Sequence, residues 1–253
     1  MIVEKDINAD TMKKIHKILI ILLLILLIIA TGIIIFTYHE SQKDTEILDN
    51  YTTIIGSNSN GTVYKINYGN NSSNNTAIMI LGVHSLENGT HIATNESIMM
   101  FTEENSLKNN FVAYYIKLNF KDSGMNTSDY DTNRHMGELL ANEYVVPDIE
   151  KYNPYVVVDV HEMENYWEYQ KYVGVIDNQS SVTMEYANEI AANLSFPIFT
   201  INAGTSPEWV TIPISNNGHN VILFETAQDD SMENKTQIAR DLVRTIDNFP
   251  VYE

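Results

Sequence analysis

The chain has 253 residues, a formal net charge of -18 and no cysteine. Its length allows one good-sized domain together with a membrane anchor, while the acidic balance and the lack of any basic patch exclude binding to nucleic acid through phosphates. Without thiols there can be neither a disulfide framework nor a thiolate zinc site, so any metal must be held by histidine and carboxylate.

Residues 1–17 are short and polar and carry Lys5, Lys13, Lys14 and Lys17. Residues 18–36 follow as an almost uninterrupted run of isoleucine and leucine. At the helical rise they span about 28 Å, enough to cross a bilayer core. The run is longer than the apolar core of a cleaved signal peptide and lacks a clear small-residue cleavage site, so the sequence predicts an uncleaved transmembrane anchor. Lysines flank its N-terminal side and His39 and Glu40 its C-terminal side. That asymmetry predicts a cytoplasmic N-terminus and an extracellular domain. Eleven N-x-[ST] sequons occur, all after the apolar run; composition alone would give about four, so glycosylation outside the membrane is expected. Residues 37–75 are rich in Asn, Ser and Thr and read as a polar stalk, with one strand over 62–68.

From 76 to 253 strand and helix patterns alternate. Strands are predicted at 77–83, 111–118, 155–161, 172–176, 198–202 and 221–224, and helices at 95–105, 134–144, 182–194 and 235–249. Strands apolar on both faces, alternating with helices, imply an α/β fold with a sheet covered on both sides. In such sheets chemistry gathers at the C-terminal strand ends. Three of those ends carry chemistry-bearing residues: AIMILGVHSLE brings His84 and Glu87, YVVVDVH brings His161, and VILFE brings Glu225.

His84 and Glu87 form an H-x-x-E pair in one turn of loop, and imidazole with carboxylate suits zinc. A solvated loop pair would have the same spacing. His161 is a natural third ligand, with Asp159 two residues earlier on the same strand face and so placed to hold a ring nitrogen. Glu162 and Glu164 compete for that role. Glu225 follows four apolar residues, where desolvation raises a carboxyl pKa and suits a general base, though an ordinary strand-end carboxylate opening a polar loop has the same pattern. Asn133 and Arg134 lie in DTNR, just before a predicted helix. Arg134 is one of three arginines in the chain and offers a fork for a substrate carboxylate, or a helix-start pair with Glu138.

Taken in order, H-x-x-E, D-x-N-R, a strand ending D-x-H and a strand ending in Glu resemble the zinc carboxypeptidase superfamily. In spacing they resemble its succinylglutamate desuccinylase/aspartoacylase-like branch. The resemblance implies a central mixed β-sheet flanked by helices, with Zn2+ on His84, Glu87 and His161. It further implies Glu225 as general base and then acid, and Asn133 and Arg134 as binders of a substrate carboxylate. The function it implies is hydrolysis of an amide bond in a small peptide or an N-acyl amino acid, here outside the membrane. Two positions depart from the pattern. Ser85 stands where the family usually has glycine, and no arginine precedes Arg134. The second departure keeps open a non-catalytic relative that binds a peptide or wall component in the same pocket.

Overall fold

The computed structural model describes residues 14–26, 31, 51–119, 127–177, 179–204 and 206–251. The chain divides into two units, Met1–Asn50 and Tyr51–Glu253. In the first, residues 14–26 are helical with exposed apolar side chains. Among the described residues no helix is long and apolar enough to cross a membrane. The expected anchor over 18–36 falls partly, and its flank at His39 and Glu40 wholly, outside the described residues.

Among the described residues the second unit is built on eight strands. These are β1 (Thr52–Ser57), β2 (Gly61–Gly69), β3 (Thr76–Leu81), β4 (Asn110–Leu118), β5 (Val156–Met163), β6 (Tyr172–Ile176), β7 (Ile198–Ile201) and β8 (Val221–Ala227). They form one mixed sheet in the order β1-β2-β4-β3-β5-β8-β6-β7. The centre, β4-β3-β5-β8, is parallel, and β2 and β6 join it antiparallel. The long helices are α1 (Asn88–Glu103), α2 (Thr127–Leu140), α3 (Ser181–Leu194) and α4 (Met232–Asp247). Shorter helical turns fill Ala141–Ile149 and Pro207–Asn216.

β3 shows why its sequence reads as a continuous apolar run. Ile78 and Ile80 join one core cluster with Tyr114, Leu140 and Val210, and Ala77, Met79 and Leu81 between them are equally buried. Both faces of the strand are therefore covered, as crossover connections require of parallel strands. Helix α4 packs against both α1 and α3.

Of the expected stalk over 37–75, residues 37–50 lie outside the described residues. Residues 51–75 belong to the second unit, in which β1 is an edge strand and β2 lies between it and β4. β2 buries Val63, Ile66 and Tyr68. β1 has no buried residue; its place comes from backbone pairing to β2, which leaves little trace in side-chain pattern.

Candidate metal centre

The centre forms where β3, β5 and β8 end. After β3 the chain makes a tight turn, with the Glu87 N–H donating to the His84 carbonyl at 3.1 Å, and then enters α1 directly after Glu87. This start lies well before the predicted 95, because the Asn-Gly pair at Asn88–Gly89 reads locally as a turn. β5 and β8 run side by side in parallel with His161 in register with Glu225. Both strands continue past the expected ends, so His161 and Glu225 project from within them.

His84, Glu87 and His161 are all buried, and one potential ligand atom from each lies within 4.8 Å of the others. His84 Nε2 is 3.0 Å from Glu138 Oε1, and His161 Nε2 is 2.9 Å from Asp159 Oδ1. A carboxylate behind each Nε2 would keep the ring proton there when a metal ion takes the other nitrogen. The Nδ1 atoms face inward, 3.2 Å apart, with Glu87 Oε1 at 2.8 Å from His84 and Oε2 at 2.9 Å from His161. Two imidazole nitrogens and one carboxylate thus converge on a single point. Two histidines and a glutamate, with carboxylates behind both rings, are a donor set suited to zinc.

The electrostatics point the same way. Burial alone would raise the Glu87 carboxyl, but His84 and His161 more than offset it and hold it well below the ordinary range. Burial alone would depress His161, but Asp159 and Glu87 outweigh it and make the ring strongly basic. Asp159 is itself fixed by Thr211 Oγ1 at 3.0 Å and Ser206 Oγ at 3.2 Å, both donating to Oδ2. His91 lies beside His161, ring centroids 6.3 Å apart, and is not part of the donor set. Its Nε2 donates to the Val160 carbonyl, and burial lowers its pKa to about 4, which leaves it neutral.

Glu225 is buried, and its Oε2 has no hydrogen-bond partner among the described residues. Burial pushes its carboxyl well above the carboxylate range, with His161 only partly opposing. A buried carboxyl of that kind holds its proton more firmly than a solvated one.

Asn133 and Arg134 sit on α2 and line a small recess with His84, Ser85 and Leu86. Arg134 is already engaged: its NH1 pairs with Glu87 Oε1 and lies 3.8 Å from Glu164 Oε1. Glu138 turns to His84 and, at 3.3 Å, to His135. Gly137 permits this. A Cβ there would lie 1.7 Å from the Val83 carbonyl oxygen, so only glycine lets α2 approach the His84 loop closely enough. Glu138, Ser206 and Thr211 escape a reading of motifs because tertiary contact alone brings them here. Spacing places Glu138 on the Arg134 side of the helix but does not say what that side meets. Tyr166, Trp167 and Tyr169 are exposed on the loop after β5, whereas Tyr172 is core.

No protein-family profile and no curated protein matches the sequence. Solved structures do. A protein named for carboxypeptidase A from Shewanella denitrificans aligns with TM-score 0.53 and 13% identity, over 84% of this chain and 68% of that one. A metallo-carboxypeptidase from Burkholderia cenocepacia aligns with TM-score 0.52 and 8% identity, over 83% and 67%. The tripeptide-bound cell shape determinant Csd4 of Helicobacter pylori aligns with TM-score 0.51 and 11% identity. This chain covers 54% of Csd4, with 73% of its own length aligned. At these identities the likeness is one of architecture, and the chain has the zinc carboxypeptidase-like fold that the order of its motifs implied.

Proposed function

We propose that the protein is a zinc-dependent hydrolase of an amide bond in a carboxylate-bearing substrate, of carboxypeptidase or N-acyl amino acid amidohydrolase type. We further propose that residues 18–36 anchor it in the membrane with the domain outside. The observation that carries the catalytic reading is the convergence of His84, Glu87 and His161 beside a buried Glu225 whose Oε2 has no partner among the described residues. A binding site has no need of that last carboxyl; a hydrolase does.

His84, Glu87 and His161 would hold the metal. Zinc in such a place lowers the pKa of water toward about 7 and polarises the scissile carbonyl. Glu138 and Asp159 keep the ring protons of both histidines on the outer nitrogens, so the inner ones stay available. Glu225 takes the proton of the attacking water at its carboxylate and delivers it to the leaving amine nitrogen. Arg134 grips the substrate carboxylate with Asn133 beside it, and to do so exchanges its contact with Glu87. Support for a peptide-like substrate comes from the tripeptide bound in the structurally similar Csd4.

The engagement of Arg134 by Glu87, with no arginine earlier in the chain, favours a second reading in which the pocket binds a peptide without cleaving it. Zinc quantification joined to a screen of peptides and N-acyl amino acids separates the two. Stoichiometric zinc with turnover that Glu225→Ala abolishes supports the hydrolase. Stoichiometric zinc and peptide binding without turnover supports the second reading. A protein that takes up no zinc sinks both.

A further inference from the structure

The metal ligand Glu87 is the residue that leads into α1, and a second buried ion pair lies directly against it. Lys235, in the first turn of α4, is buried and donates through Nζ to Glu162 Oε1 at 2.8 Å and to the Gln228 carbonyl at 2.9 Å. Glu162 Oε1 also accepts the backbone N–H of Thr90, in the first turn of α1. The Glu162 backbone N–H donates in turn to Glu87 Oε2 at 3.1 Å. One residue thus grips the ligand twice, by its main chain at the carboxylate and by its side chain at the helix that carries it.

Gly89 shows how closely these parts fit. A Cβ on it would lie 2.6 Å from Lys235 Nζ and 2.8 Å from Glu162 Oε1. A buried pair retained at this desolvation cost is a weak stabiliser by itself and is better read as a device for fixing geometry.

We propose that Glu162 and Lys235 act as a positioning brace that sets the Glu87 carboxylate for metal binding. This rests on the metal reading given above. Neither residue belongs to the donor set. Lys235 acts at a distance: it holds the Glu162 carboxylate in place, Glu162 holds the first turn of α1, and that turn fixes the direction in which Glu87 leaves the loop. Removing a partner that orients a metal ligand costs roughly 10- to 100-fold in affinity.

The test uses the full chain, stripped of metal and titrated with Co2+, whose visible spectrum reports ligand geometry. Lys235→Met should weaken Co2+ binding about 10- to 100-fold and shift the bands, and Lys235→Arg should restore most of both. Hydrogen exchange on the metal-free protein is read in parallel; the amides of Thr90 and Glu162 should exchange faster in Lys235→Met. A folded Lys235→Met variant with the parent's affinity, spectrum and exchange overturns the proposal. If that variant does not fold, Gly89→Ala decides. Its methyl crowds the pair while suiting a helix, and unchanged affinity and exchange there overturn the brace equally. If the parent chain binds no Co2+, the metal reading falls, and the exchange data alone judge whether the brace exists.

Discussion

Two buried carboxylate clusters lie in this domain, and they are balanced in opposite ways. Asp148, in the turn after α2, meets Lys65 at 2.9 Å, Lys151 at 2.6 Å and the Tyr114 hydroxyl at 2.8 Å. One carboxylate there has two ammonium groups and a hydroxyl, and its lone pairs are filled. At the end of β3, β5 and β8 the buried carboxyl groups of Glu87, Glu138, Asp159 and Glu225 surround two imidazoles, with the Arg134 guanidinium at the edge. That group has electron pairs in excess. The first cluster is a closed structural lock between β2, β4 and the turn; the second offers a donor set that could hold a cation. Similar residue types form a paired lock in one place and the proposed metal site in the other, and the balance of partners distinguishes them.

The largest effect that sharpens this contrast is on turnover. Glu225→Gln should lower kcat by about a hundred- to ten-thousand-fold while zinc stoichiometry stays at the parent value. Asp148→Asn should leave kcat unmoved in the same assay. Full activity in Glu225→Gln would place the proton transfer elsewhere.

Zinc addition comes next. At a hundred times its Kd, zinc should stabilise the parent domain by about 2.7 kcal/mol, read as a rise in Tm. His84→Ala should lose that rise, whereas Asp148→Asn should keep it. A zinc response that survives His84→Ala would move the metal to other ligands.

Asp148→Ala should destabilise the domain by about 2 kcal/mol, since it leaves the Tyr114 hydroxyl and Lys65 without their acceptor, and zinc affinity should not change. Denaturant midpoints and a metal titration on the same sample check both halves.

The smallest effect is on the acid limb of stability. Burial alone would raise the Asp148 carboxyl, but hydrogen bonds from Lys151 and Lys65 outweigh it and hold the pKa below the usual 3.8. A carboxyl depressed by folding contributes fully above its unfolded value and loses that contribution as pH falls through the folded one. Urea midpoints should therefore fall less steeply for Asp148→Asn than for the parent as pH drops below about 4. Identical slopes would mean that the pair contributes nothing to folding.

Much of the frame was legible in the sequence. β3, β4, β5, β6 and β8 are runs of apolar residues buried on both faces, and a run of that kind reads as a covered strand without further information. The three ligand candidates and Glu225 were legible because each follows such a run. β1 was not, since half-exposed edge strands carry no apolar period. The start of α1 was not, since the Asn-Gly pair that opens it favours a turn locally. Asn95 lies in a sequon yet is buried and accepts from the Tyr68 hydroxyl at 3.1 Å, so in the folded domain it is closed to modification.

By itself, then, the sequence determined which residues are candidates for chemistry and on which strands they ride, because hydrophobic period and strand-end position are local properties. Only the tertiary structure decided what surrounds them. Glu138 behind His84, Thr211 and Ser206 behind Asp159, Arg134 on Glu87, and Lys235 reaching Glu162 from the last helix are contacts between segments far apart in the chain. Their geometry depends on close approaches such as that of Gly137 to Val83, and no pattern along one segment encodes those.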